Sequence, residues 1–251
     1  MKFKYFEFFL FAYILTLCLT LTVYAKFVVV EEIVLFGYIA KLVNYLSPIA
    51  LAIAVPAGTL PFAITYPICD IVAEVYGPKP AKRLMIYGVV GEIIFALGVL
   101  WVIGLAAKDV IVPNEYYRLV HGSILVYAVS NIIGSIVGKT VNIYLISKLK
   151  VKLLGKAFCQ RSLFSTMVGE LLLSLVAATI SFAQALPMQT VIMVAITAFL
   201  IKMTVAILMV KPIQWVSMYL KIKEGIDVYD KSTNLNPFDF LNNSTIPNKP
   251  V

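Results

Sequence analysis

A chain of 251 residues that is 61% hydrophobic and only 14% charged departs strongly from soluble domains, which average roughly 45–50% apolar and about 25% charged residues. The net charge of +8 falls in short loops between apolar runs, a distribution that argues against nucleic acid as a partner and for the lipid bilayer. The chain has no Walker loop, no GxGxxG and no HExxH, and Cys18, Cys69 and Cys159 show no metal or redox spacing, so no cofactor and no metal is expected.

The apolar runs approach the ~20 residues that a helix needs to cross a bilayer, and only helices satisfy the backbone of such spans internally. The fold class read from them is all-α: an integral membrane bundle of six transmembrane helices at about 8–29, 56–76, 84–107, 119–147, 162–184 and 188–211, the last running on toward 220. Lys2 and Lys4 precede a stretch ending Val23-Tyr24-Ala25, which imitates a signal-peptide cleavage site. The stretch is longer than the usual ~7–15-residue signal core and is expected to stay as the first span. Over 31–47, Gly37, Lys41, Asn44 and Pro48 share one helical face opposite Ile33, Phe36, Ile39, Leu42, Val43 and Leu46, the pattern of an interfacial helix rather than a seventh span.

Orientation follows from the basic residues. Lys2, Lys4, Lys79, Lys82, Arg83, Lys148, Lys150, Lys152, Lys156, Arg161, Lys221, Lys223, Lys231 and Lys249 fall on one side, against Lys26, Lys41, Lys108 and Arg118 on the other. By the positive-inside rule both termini are cytoplasmic, which requires an even number of spans. Residues 1–223 then form the membrane domain, and 224–251, rich in Asn, Asp, Ser and Pro, a mobile polar cytoplasmic tail. There is no internal repeat to support an inverted-repeat architecture.

Ionisable residues inside spans are costly and mark candidate sites. Glu92 lies nine positions beyond Arg83, Lys139 nine before Lys148, Glu170 nine beyond Arg161, Lys202 nine before Lys211, and Asp70 seven before Gly77. At 1.5 Å per residue these depths are roughly 10–14 Å, one layer near the midplane. The fourth and fifth spans are antiparallel neighbours, so Lys139 is expected to pair with Glu170 and Lys202 to face Asp70 or Glu92. Three carboxylates against two ammoniums leave one negative charge for a proton, a cation or a donor-bearing ligand. The alternative is that these pairs only fix helix packing. Asp70 and Glu74, four apart, share a helical face with Tyr66 and Phe62 one and two turns away, a stripe of acceptors and ring surface suited to a flat, donor-bearing heterocycle. The other reading puts Glu74 at the interface.

The segment from Pro61 to Gly77, with Tyr66, Asp70, Glu74 and Tyr76, followed by Ala81 and Arg83, resembles the queuosine precursor transporter family, also called the vitamin uptake transporter or YhhQ-like family. Arg161 to Thr166 with Gly169, Lys202 with Pro212, and Leu220 to Asp230 extend the resemblance over most of 56–230. It implies a multi-pass carrier of the bacterial cytoplasmic (inner) membrane that imports a 7-deazaguanine-like precursor of queuosine: 7-cyano-7-deazaguanine, its aminomethyl analogue or queuine. Departures from the family pattern fall at Lys139 and Asn142 in the fourth span, Glu170 and Leu173 in the fifth, and Glu92 in the third. The substrate-binding candidates are Phe62, Tyr66, Asp70, Glu74, Glu92, Lys139, Asn142, Glu170 and Lys202. The competing reading is a binding subunit that needs an energy-coupling partner complex. An enzyme is not expected, since His121, the sole histidine, falls in a predicted outer loop. Self-association into a homo-oligomer is left open.

Overall fold

The computed structural model describes residues 4–24, 27–29, 54–105 and 124–241, and the expectations for 31–47, His121 and 242–251 lie outside them. In chain order the elements are α1 (Phe6–Val23), β1 (Phe27–Val29), β2 (Ala54–Pro56), α2 (Thr59–Phe62), α3 (Thr65–Tyr76), α4 (Pro78–Gly104), α5 (Ile124–Lys152), α6 (Phe158–Phe182) and α7 (Met188–Glu224), followed by a 3-10 turn at Asp239–Leu241. Among the described residues, five helices (α1, α4, α5, α6 and α7) are long and apolar enough to cross a membrane, and the architecture is an all-α membrane bundle. Its surface is the inverse of a soluble protein's. Phe11, Ile94, Trp101, Ile207 and Trp215 face outward, while Asp70, Glu92, Lys139, Glu170 and Lys202 are buried.

The expected span 56–76 is not one helix. Pro61 and Pro67 each lack an N–H, and the ring of Pro67 crowds the carbonyl four residues back, at Ala63. The chain breaks there, leaving the one-turn α2 and the 12-residue α3 joined by a turn at 63–64. All of α3 is buried, packed against α1, α4, α5 and α7. The first span also ends earlier than expected, at Val23, because Phe27–Val29, one aromatic and two β-branched residues, pairs antiparallel with Ala54–Pro56.

Gly77 ends α3 at φ 90°, a conformation that favours glycine, and α4 starts at once with Pro78, whose missing N–H costs nothing in a first turn. α5 and α6 form the most intimate hairpin in the bundle. A Cβ built on Gly138 would lie 2.4 Å from the Gly169 carbonyl oxygen, so the two backbones touch only because both positions lack side chains. α7, at 37 residues, is about 55 Å long, well beyond the ~30 Å hydrocarbon core. Its last turns carry Lys221 and Lys223 to the basic end of the bundle.

The tail corrects the expectation of mobility as far as residue 241. Ile226, Val228 and Phe240 are buried, the Val228 N–H donates to the Val75 carbonyl, and Lys82 Nζ donates to the carbonyls of Asn234 (2.8 Å) and Asn236 (2.7 Å). Three apolar side chains in a polar segment are enough to anchor it across the basic end.

Candidate functional site

At the basic end Glu74 is saturated with donors. Arg161 grips it bidentately, Nη1 to Oε2 at 2.9 Å and Nη2 to Oε1 at 3.2 Å, and Lys221 Nζ donates to Oε1 at 2.6 Å. Lys150 Nζ lies 4.0 Å from the same oxygen and donates to Asp227 Oδ1 at 2.6 Å, and Lys221 reaches Asp227 at 3.0 Å. Two carboxylates and three cations thus close the end of α3. Burial by itself would raise the Asp227 carboxyl, but hydrogen bonds and charge from Lys150 and Lys221 outweigh it and hold Asp227 below the usual carboxylate range. Glu74 therefore does not join Asp70 in one carboxylate pair: each has its own donors.

One turn deeper, Asp70 receives donors on one oxygen only. Ser162 Oγ donates to Oδ2 at 2.5 Å and Thr166 Oγ1 at 3.2 Å, while Oδ1 is buried with no partner among the described residues. Asn142 Nδ2 donates to Thr166 Oγ1 at 3.1 Å, and its Oδ1 is also unpartnered, as is the Tyr66 hydroxyl. Tyr66 lies against the glycine contact of α5 and α6, where a Cβ on Gly138 would come 2.8 Å from its oxygen.

In the next layer Lys202 Nζ donates to Glu170 Oε2 and to Ser174 Oγ, both at 2.9 Å. This replaces both expected pairings. Lys139 does not pair with Glu170, and Lys202 meets neither Asp70 nor Glu92. Lys139 Nζ turns toward α1, donating to Tyr13 Oη at 2.5 Å, and stands over the rings of Tyr13 (4.5 Å), Phe62 (4.6 Å) and Tyr66 (5.5 Å). Lys202 Nζ lies 5.2 Å from the same Phe62 ring, which therefore has two ammoniums within cation–π reach. Glu92 Oε1 accepts from Asn131 Nδ2 at 2.6 Å, and its Oε2 has no partner among the described residues.

A cleft reaches this layer from the half of the bundle away from the basic end. Phe62, Lys202, Ser174, Asn131 and Tyr127 line it, with Ser130 and Ser181 hydrogen-bonded to each other at 2.6 Å on its wall. Of the nine expected residues, Phe62 and Lys202 face the cleft, and Glu170 and Glu92 stand one hydrogen bond behind it. Lys139 shares the Phe62 ring. Tyr66, Asp70 and Asn142 form a separate cluster toward the basic end, and Glu74 belongs to the ionic closure. The cleft's ring surface, ammonium, amide and hydroxyls form a set able to bind a flat polar molecule.

The family model described as "Putative vitamin uptake transporter" matches residues 56–216. The chain belongs to the vitamin uptake transporter family. No match was found among curated proteins or among solved structures. The vitamin uptake transporter match contains all nine expected residues and every described residue of the cleft wall, and membership makes this multi-pass membrane protein a transporter. It leaves out α1 and the tail, which supply Tyr13 and Asp227 to the interior. Sequence reading passed over Tyr13, Asn131, Ser162 and Ser174 as site residues. Ser162 and Thr166, two hydroxyls four apart on an apolar helix, were the signal that could have exposed the Asp70 cluster.

Proposed function

We propose that this transporter imports a small purine-like heterocycle, a queuosine precursor such as 7-cyano-7-deazaguanine, its aminomethyl analogue or queuine, into the cytoplasm of a bacterium. The observation that carries the reading is the Phe62 ring at the end of the cleft, beside the Lys202–Glu170 pair and Ser174. A deazaguanine stacks on such a ring, while its amide and amino edge exchanges hydrogen bonds with an ammonium, a carboxylate and side-chain amides. Asp70 Oδ1, Asn142 Oδ1 and the Tyr66 hydroxyl supply three buried polar atoms without partners among the described residues, on the cytoplasmic side of the ring, a second set for the same edge as the molecule moves inward. The Glu74 cluster then acts as the cytoplasmic closure, with both termini on that side as the basic loops require.

The test is uptake of radiolabelled 7-cyano-7-deazaguanine into vesicles reconstituted with the purified chain alone, with queuine and guanine as competitors. Saturable uptake blocked by queuine is expected. Binding without uptake overturns the carrier reading, and uptake inhibited equally by any purine overturns the substrate class.

A further inference from the structure

We propose that Glu92 is a proton-binding site that couples transport through the cleft to a proton gradient, with Asn131 relaying its charge state to the cleft wall. The proposal rests on the transporter reading above and identifies what drives it. Glu92 is 1% exposed, yet among the described residues no cation pairs with it. Glu170 has Lys202, Glu74 has Arg161 and Lys221, and Asp70 has two hydroxyl donors on one oxygen. Among the described residues Glu92 has one amide donor on Oε1 and none on Oε2. An ionised oxygen left bare in a membrane interior is far costlier than a neutral carboxyl there. A proton on Oε2 removes that cost without any rearrangement.

From α1, Tyr13 and Cys18 are within electrostatic reach of Glu92, and from α5, Tyr127, Asn131 and Lys139. Lys139, the one cation of that set, is held by Tyr13 and the aromatic rings. Asn131 both donates to Glu92 and lines the cleft, so it touches the two events that must be coupled. An amide donates more strongly to a carboxylate than to a neutral carboxyl. Protonation of Oε2 therefore loosens Asn131 and frees its donor for a ligand in the cleft, and by linkage a bound ligand raises the proton affinity of Glu92 by the same factor. The step balances simply: one proton enters from the outer solution onto the carboxylate, access to the neutral carboxyl and the bound ligand passes from the outer side to the cytoplasmic side, and the proton leaves to the cytoplasm.

The deciding experiment needs no ligand. Infrared difference spectra of the protein in lipid, titrated with pH, should show a protonated-carboxyl band that is missing from Glu92→Gln and present in Glu92→Asp. If Glu92→Gln does not fold, Asn131→Leu carries the test, since removing the donor from the carboxylate should move the band's midpoint up by about one pH unit. A band unchanged in Glu92→Gln, or a midpoint unmoved in Asn131→Leu, overturns the proposal. In vesicles, with 7-cyano-7-deazaguanine as the probe, a pH gradient should drive accumulation by the wild type. Glu92→Gln should lower the ratio of gradient-driven uptake to counterflow at least tenfold, and an unchanged ratio would overturn the coupling. Failure of the wild type to move this probe would sink the substrate assignment alone, because the infrared titration still decides the proton site.

Discussion

Asp70 and Glu74 stand one turn apart on the same wholly buried helix, yet they carry opposite burdens. Glu74 is bound by Arg161 and Lys221, with Lys150 beside them, and its charge is answered within the protein. Asp70 has hydroxyls on one oxygen, and its other oxygen has no hydrogen bond among the described residues. Identical chemistry four residues apart thus separates structure from readiness to bind. A satisfied buried charge holds helices together, whereas a half-satisfied one holds free energy that a ligand or proton can release.

The largest effect should come from the satisfied side. Arg161→Met removes the bidentate partner of Glu74, leaving Lys221 and Lys150 to answer its charge, and should cost about 3 kcal/mol, seen as a lowered melting temperature in a thermal-shift assay in detergent; an unchanged melting temperature would dissolve the distinction. Next comes the pair at the cleft end. Lys202→Gln with Glu170→Gln should show a coupling of about 1–3 kcal/mol in a double-mutant cycle on stability, while Lys139→Gln with Glu170→Gln should be additive within about 0.5 kcal/mol. Equal couplings would restore the pairing that the geometry rejects. Asp70→Asn should melt close to the wild type but lose about tenfold or more in uptake, equivalent to ~1.4 kcal/mol. Uptake at the wild-type rate per folded molecule would move Asp70 to Glu74's side of the comparison.

The smallest effect lies at the tail. Asp227→Asn should lower stability by about 1 kcal/mol or less, since the pair is partly solvated. The folded-state value of Asp227 is lowered, so its contribution is complete above the unfolded value of about 3.9 and disappears as pH falls through the lower folded value. Melting curves of wild type and Asp227→Asn should differ at neutral pH and converge below about pH 4.

The bundle is plain in the sequence, because uncharged runs near twenty residues suit little besides a bilayer. Height along a helix follows from counting residues, but direction around it does not: each residue turns the side chain by about 100°. Gly138 and Asn142 face α6, so Lys139, one position on from Gly138, points to Tyr13 and Phe62 instead of Glu170. The break between α2 and α3 was written in Pro61 and Pro67, yet a hydrophobicity pattern sums over such breaks. The docked tail escaped because its polar composition outweighs the three apolar residues that anchor it.

The Glu74 cluster also sets an order on synthesis. Its nearest partner in sequence, Lys150, follows it by 76 residues, Arg161 by 87 and Lys221 by 147. When α3 leaves the ribosome, all three of the cations that hold Glu74 among the described residues are still unmade, and Asp227 comes later still. Early in biogenesis this helix is too short and too charged to lodge stably in lipid, so it must wait at the membrane surface or in the translocon until α6 brings Arg161 alongside. A nascent chain stalled before residue 158 should therefore leave α3 accessible to water-soluble labelling reagents, and one released after residue 230 should bury it.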